Sequence, residues 1–398
     1  MPWKAKSKVD MRYELLQRLH NGERATDLAR EYGVSRKTIY KFRKRLQLHG
    51  IEGLRDRSRR PHRLARKLPE QLEQAVLAIK AQHPTWGAKK IRAALPQHYP
   101  GMPLPACSTI HKMLLRAGKV RRRPRRRPKG LLNERPLQQP AAPNELWAAD
   151  FKGQFQLRNG KPCFPLTVSD VHSRMLLLCE ALSSTEQQPV IDAFWALFQE
   201  HGLPYAIRTD NGVPFASTAN WGLSRLTVLW MRLGIRVERI QPGKPQQNGR
   251  HERIHRTLKA HCIRPAAEHL LAQQDRFERF LREYNHQRPH EALDFKTPFE
   301  CYRPSTRPCP KQLPTPSYPL ADRTLHVCSD GRLSLAPGHR PFLAKPLAGQ
   351  LVGLQELHDG SWLIGFANYD LGIYHPNDKS FQPFSPLRAS SLAPSCSP

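Results

Sequence analysis

Residues 145–262 switch repeatedly between two hydrophobic periods, and that switching restricts the possible folds more than any other feature of the 398-residue chain. "ELWAADFKGQFQL", then "KPCFPLTVSD" after the Asn159-Gly160 pair, then "SRMLLLCEAL" have the texture of strands joined by tight turns. "TEQQPVIDAFWALFQEHG" follows, with Val190, Phe194, Leu197 and Phe198 at helical spacing. A strand ("PYAIRTD"), a helix ("GLSRLTVLWMRLG"), a strand ("IRVERI") and a helix ("NGRHERIHRTLKAHC") complete the run. Three antiparallel strands followed by alternating helices and strands predict a mixed sheet with helices on both faces.

The flanking segments have other textures, so the expected fold class is multidomain α/β, and the length suits two to four domains. Residues 11–48 read as three helices in a helix-turn-helix pattern, with Leu28, Ala29, Val34, Ile39 and Leu46 inward, Gly33 in the turn and Ser35 as a cap. The last of these helices carries Arg36, Lys37, Thr38, Tyr40, Lys41, Arg43 and Lys44, side chains suited to a major groove and its phosphates. A second helical unit is expected over 61–118, with Ser108 as a cap. After it, "KVRRRPRRRPKG" cannot bury itself and predicts an extended arm, in which Arg121, Arg122, Arg123, Arg125, Arg126 and Arg127 track a DNA backbone or enter a minor groove. Beyond the Pro-rich stretch at 304–318, two Asp-Gly pairs (Asp330-Gly331 and Asp359-Gly360) within strand texture predict a small β-barrel over 319–384. The expected division is therefore 1–60, 61–118, a basic linker 119–143, a core 144–303, a linker 304–318, the barrel 319–384 and a disordered tail 385–398.

Charge follows the same division. The chain carries a formal net +31, and residues 1–130 hold 34 of the 64 Lys and Arg but only 9 of the 33 Asp and Glu. The N-terminal third is thus expected to grip a polyanion, for which double-stranded DNA is the natural partner. The eight cysteines form no CxxC and no tight cluster with histidine, so they read as scattered reduced thiols rather than a zinc site. No apolar segment follows the charged N-terminus and no run is long enough to span a bilayer, which suggests a soluble cytoplasmic protein without membrane contact.

Three acids are out of place. Asp150 lies inside the first strand, directly after the apolar residues Leu146–Ala149, Asp210 ends a buried strand before Asn211 and Gly212, and Glu252 opens a helix. If the first and fourth strands are neighbours, the aspartates meet at one sheet edge and the helix brings Glu252 across. Carboxylates about 4 Å apart repel by roughly 4 kcal/mol per pair at an effective dielectric near 20, so a cation is needed or the cluster protonates. Such hard oxygen ligands suit Mg²⁺ or Mn²⁺, and two such ions can drive an in-line phosphoryl displacement. The competing reading makes all three surface or capping acids, with Asp210 beginning an Asx turn.

"WAADFKG", "TDNGVPF" and "PGKPQQNGRHERIHRTLK", in that order, resemble the three catalytic motifs of integrase-core DDE transposases of bacterial insertion sequences, relatives of retroviral integrases. "EYNHQRPHEALDFKTPFECY" is similar to the segment closing that family's core. The resemblance implies an RNase H-like core in which Asp150, Asp210 and Glu252 are the catalytic, metal-binding triad, holding two Mg²⁺ or Mn²⁺ ions. It also implies binding of the element's terminal inverted repeats, hydrolysis at each end, joining of the freed 3′-hydroxyl to target DNA, and self-association into a dimer or larger synaptic assembly. Forty-one residues separate Asp210 from Glu252, more than in compact retroviral integrases, and an extended loop around "ASTANWGLSRL" is expected to hold the excess. Asn248, Arg253, His255, Arg256 and Lys259 are expected near DNA phosphates, and His255 is not expected to act as a general base, since metal-activated water needs no histidine. A regulator with an inactive core, and a phage or domesticated integrase of the same chemistry, are the rival readings.

Overall fold

The computed structural model describes residues 7–57, 69–120, 139–241 and 243–389. The arginines from Arg121 to Arg127, the centre of the expected basic arm, therefore lie outside the described residues, as do residues 390–398 of the expected tail; residues 385–389, expected to be disordered, instead extend the last strand, where they pair with its neighbour. The chain divides into two compact units, residues 1–69 and 70–398.

The first unit contains α1 (Lys8–His20), α2 (Ala25–Glu31) and α3 (Arg36–His49). Ser7 and Asp10 form a reciprocal capping box on α1, and the Ser35 hydroxyl accepts from the Thr38 N–H at the start of α3. Gly33 has φ +62° between α2 and α3, a left-handed turn that a β-carbon would strain. Leu15, Leu16, Leu28, Ile39 and Leu54 make the small core, with Ala29, Val34 and Leu46 packed around it. The expected inner face is the observed one.

The second unit opens with α4 (Glu70–Gln82), α5 (Ala88–His98) and α6 (Cys107–Arg116), which bury Leu72, Val76, Ile79, Trp86, Ile91, Leu95, Ile110 and Met113. Then come β1 (Trp147–Phe151), β2 (Phe155–Gln156), β3 (Pro162–Asp170), β4 (Leu176–Leu182), α7 (Gln187–His201), β5 (Ala206–Thr209), α8 (Arg225–Arg232), β6 (Arg236–Arg239), α9 (Gly249–Leu258) and α10 (Leu270–His286). The sheet is mixed: β3 pairs antiparallel with β1, β2 and β4, while β1, β5 and β6 run parallel. Trp147, Ala149, Leu166, Val168 and Ile207 pack against Phe194, Phe198 and Trp230 of α7 and α8 on one face. Leu176, Cys179 and Ala181 pack against Ile254, Leu258, Phe277 and Tyr284 of α9 and α10 on the other. His83 Nδ1 lies 2.8 Å from Glu283 Oε1, and Thr85 Oγ1 lies 2.8 Å from His261 Nε2, so the α4–α6 bundle is tied to the α10 side of the core.

The C-terminal strands differ from expectation. β7 (Arg323–His326), β8 (Leu351–Glu356), β9 (Trp362–Phe366), β10 (Tyr369–His375) and β11 (Ser380–Ala389) form an antiparallel sheet in the order β11-β10-β9-β8-β7. Among the described residues β7 and β11 do not pair, so the barrel is not closed. The reason lies in the core: Val352, Leu354, Ile364, Phe366 and Leu371 bury themselves against Leu223, Val228 and Met231 at α8, which removes the need for the sheet to cover its own apolar face. The Pro-rich stretch before it lies along the core, where Leu203 N–H donates to Arg307 O at 2.8 Å and Arg232 Nη2 to Pro314 O at 2.8 Å.

Candidate active site

Alternation along β1 determines where its one acid points. Trp147 and Ala149 face α7 and α8, so Ala148 and Asp150 face the side covered by α9. Asp150 is paired across the sheet with Thr167, and β1 pairs parallel with β5, whose end delivers Asp210. Glu252 lies exposed in the first turn of α9. Asp150, Asp210 and Glu252 all line one cavity of about 350 Å³, together with Asn248, Gly243 and Lys244.

Burial, then the neighbouring charge of Asp210, pushes the Asp150 carboxyl up to about 7; Glu252 adds in the same direction, and the Phe151 backbone N–H and Lys152 act against it. The acids therefore sense one another. Asp210 does begin an Asx turn, its Oδ1 accepting from Gly212 N–H at 3.1 Å, while the residue lines the cavity. A β-carbon on Gly212 would meet Asp210 Oδ2 at 3.1 Å, so glycine keeps the turn close. Asn211 Nδ2 donates to Ile240 O at 2.8 Å and holds the turn to the end of β6.

The loop before α9 is fixed from beneath. Arg208, buried on β5, gives its guanidinium to Glu238 at 3.0 and 2.8 Å and reaches Gln247 O at 3.4 Å. Asn248 is 5 % exposed at the cavity wall. Sequence reasoning did not single out Arg208, although an arginine two residues before the strand-end acid, in an otherwise apolar strand, was a usable signal.

Behind Asp150 stands a second group that sequence reasoning missed in part. Thr167 Oγ1 donates to Asp150 O at 3.0 Å and is met by His251 Nε2 at 2.8 Å and His255 Nε2 at 2.7 Å, while Ser169 Oγ lies 2.9 Å from His251 Nδ1. One hydroxyl proton and two lone pairs match these three contacts when both histidines carry their proton on Nε2. Burial holds His251 down to about 3 and His255 to about 2. His255 Nδ1, 3.7 Å from Asp150 Oδ2, is thus a neutral neighbour and not half of an ion pair.

The other expected contacts divide by location. Arg36, Lys37, Tyr40, Lys41, Arg43 and Lys44 are exposed on α3, while the Thr38 hydroxyl lies 2.9 Å from Ser35 Oγ at the helix cap. Arg253, Arg256 and Lys259 are exposed, and Arg253 and Arg256 line a second cavity rather than that of the carboxylates. The long separation of Asp210 and Glu252 has a structural use: Trp221 Nε1 donates to Phe384 O at 2.8 Å and Asn220 Nδ2 to Leu343 O at 2.6 Å, so the inserted residues seat the C-terminal sheet.

Could the cavity hold an ion? Among the described residues no group of three or more His, Cys, Asp or Glu side chains is gathered tightly enough to hold one as it stands. The donor chemistry nevertheless fits a hard divalent cation: three carboxylates of opposite charge to the ion, one already forced toward its protonated form, and no thiol or free imidazole at the wall.

Known proteins match in the same places. The Integrase core domain family matches residues 140–245 and 233–298, a Helix-turn-helix domain family residues 11–62, and a Homeodomain-like domain family residues 38–114. The uncharacterized 31.7 kDa protein of insertion element IS407 from Burkholderia multivorans is 30% identical over 194 residues, 48% of this chain and 67% of that protein. The transposase for insertion sequence element IS904 from Lactococcus lactis is 29% identical over 167 residues, 40% and 63% of the two chains. Among solved structures, the HTLV-2 integrase catalytic core domain in complex with magnesium aligns with a TM-score of 0.33 at 18% identity, covering 42% of this chain and all of that one. The simian T-cell lymphotropic virus intasome in complex with PP2A regulatory subunit B56 gamma aligns at 0.37 and 17%, covering 74% and 96%. The chain belongs to the integrase-core transposases of insertion elements, with an N-terminal helix-turn-helix domain. Its mixed sheet with helices on both faces fits an RNase H-like α/β core.

Proposed function

We propose that this protein is a DDE transposase that cuts the ends of its own mobile element and joins them to target DNA. The observation that carries the reading is the convergence of Asp150, Asp210 and Glu252, from three separate elements, on one cavity where burial and mutual charge push Asp150 up to about 7. A purely binding protein gains nothing from three mutually destabilising acids.

Asp150, Asp210 and Glu252 would hold Mg²⁺ or Mn²⁺, two ions being the arrangement the family chemistry uses. When bound, the ions supply Lewis acidity and positive charge at the scissile phosphate. The chain's own residues do the positioning. Thr167 and His255 fix Asp150 from behind, Gly212 and Asn211 aim Asp210, and Arg208 steadies the loop that ends at Asn248. In the first step a water oxygen bonds to phosphorus and the P–O3′ bond breaks, freeing a 3′-hydroxyl. In the second, that hydroxyl oxygen bonds to a target phosphorus and displaces the target's own 3′-oxygen.

Residues 1–130 would grip the terminal inverted repeats, with Arg36, Lys37, Tyr40, Lys41, Arg43 and Lys44 on α3 and the arginines from Arg121 to Arg127 as the main contacts. Synapsis of two ends requires a dimer or larger assembly, and the C-terminal sheet offers a DNA or subunit contact. The expected domain boundaries, and roles for Asn248, Arg253, Arg256 and Lys259 in phosphate binding, belong to the same proposal.

Strand transfer with labelled oligonucleotides copied from the DNA flanking the gene, in Mg²⁺, tests it. Asp150→Asn should lose at least about a thousandfold, roughly 4 kcal/mol of barrier, while keeping DNA binding. Equal activity in wild type and variant would discard the catalytic assignment.

A further inference from the structure

The carboxylate cavity is not the most highly charged hollow in the core. A second one, about 390 Å³, is walled by α9, the end of β3, α5 and the turn after α10, and Asp150, Asp210 and Glu252 do not line it. Cations enter it from four places: Lys90 on α5, Arg174 in the turn after β3, Arg250, Arg253 and Arg256 on α9, and Arg288 beyond α10, where burial and the surrounding positive charge hold His290 neutral.

The acids at its wall do not balance them. Asp170 accepts from Ser173 N–H and Oγ–H, each at 2.6 Å, and from Asn144 N–H at 2.8 Å, and Glu291 is paired with Lys89. Arg174 Nε and His290 Nε2 are buried without a hydrogen-bond partner among the described residues, and Arg174 sits at φ +66°, in the left-handed region. Arg250 gives Nη1 to Val171 O at 3.1 Å, and Arg288 lies 5.8 Å from the centre of the Tyr284 ring. Burial, aided by the Arg288 charge, lowers Lys90 to about 7; burial, aided by Arg250, lowers Arg174 to about 10. Asp170 and Glu291 offset these shifts only in part; cations gathered at a part-buried wall with too little counter-charge cost stability, and a fold retains them where something anionic completes the set.

We propose that this cavity is a phosphate-binding site separate from the catalytic carboxylates, completed by a phosphate group that Arg174, Arg288 and Lys90 hold. Phosphate is favoured over a carboxylate because several arginines and Lys90 line one cavity, and that much positive charge calls for more than one negative charge. A DNA strand and a small free polyphosphate present this group with the same recognition chemistry. Binding of a phosphate here does not depend on strand transfer.

Thermal unfolding of the full chain in EDTA, with inorganic pyrophosphate against sodium chloride at equal ionic strength, tests the site. Pyrophosphate should raise the midpoint by about 4 °C at a concentration near a hundred times its dissociation constant. Arg174→Gln and Arg288→Gln should lose that increment, and Arg282→Gln, an exposed change on α10 outside the cavity wall, should keep it. Both cavity variants should also unfold no earlier than wild type without ligand, since each removes a repelling charge. If Arg174→Gln does not fold, Lys90→Gln from a separate helix gives the same reading. No increment beyond sodium chloride, an increment kept in both cavity variants, or a lower ligand-free midpoint in both would overturn the proposal. A saturating short duplex then separates the sources: DNA phosphate in the cavity abolishes the pyrophosphate increment, and a free phosphate compound adds to the effect of DNA.

Discussion

The Asp150 carboxyl, pushed up to about 7 chiefly by burial, binds its proton more tightly in the folded chain than in the unfolded one, where a free aspartate titrates near about 3.9. Between those values the folded state holds more protons, so this group's contribution to stability falls as pH rises from about 4 to about 7. In urea unfolding without metal, Asp150→Asn should therefore gain on wild type across that window; a constant difference would refute the shift. A divalent ion has to displace the same proton, so Mg²⁺ affinity measured by calorimetry should tighten as pH rises to about 7 and level off above it. His251 and His255 behave oppositely: held neutral by burial at about 3 and about 2, they contribute stability that is present above about 6.5 and lost as pH falls below it. Their shared partner is Thr167, and Thr167→Val leaves two buried N–H groups without an acceptor. That should cost about 2–4 kcal/mol in urea unfolding, with Thr167→Ser recovering most of it.

At the scale of elements, what could be read in the sequence was whatever follows from period and turn chemistry. Strand texture around Trp147–Ala149 put Asp150 in the first strand of the sheet, and Gly33 with Ser35 marked the turn into α3. Thr167 and Ser169 gave no such signal, because a hydroxyl in a strand looks the same whether it faces water or two buried histidines; only the pairing register brings them beneath α9. The open C-terminal sheet was equally hidden: hairpin signals announce strands, but not the distant α8 surface that takes the place of closure. The residues inserted between Asp210 and Glu252 read as loop, yet Trp221 packs on the Phe381 ring at 6.0 Å and donates to Phe384 O. Trp221 is only partly buried, so Trp221→Ala should cost roughly 2 kcal/mol, below the 3–5 kcal/mol of a fully buried tryptophan. Limited proteolysis should then release the C-terminal sheet earlier than in wild type, and an unchanged cleavage rate would mean that the inserted loop does not seat it.

Across the whole molecule, charge is separated from chemistry. Residues 1–130 hold 34 Lys and Arg against 9 Asp and Glu, whereas the remaining residues, with the carboxylate cavity among them, hold 30 against 24. A protein that gripped DNA with its catalytic surface alone would not need that asymmetry, because neutralising phosphates and cleaving one of them are separate demands on a chain. Phosphate neutralisation releases counterions, so the logarithm of affinity falls with the logarithm of salt by about 0.9 for each contact. If the N-terminal third makes about ten contacts, binding of the full chain to end DNA should weaken by roughly 10³ to 10⁵ between about 50 and 200 mM salt. Replacing Arg36, Lys37 and Lys41, all exposed on α3, by glutamine should make the slope shallower by about 3. Asp150→Asn should leave the slope unchanged while removing strand transfer, because the acid lies in a cavity far along the chain from the basic third and neutralises no phosphate. Fluorescence anisotropy over a salt series reads all three slopes; equal slopes for wild type and the α3 variant would show that α3 does not hold the DNA.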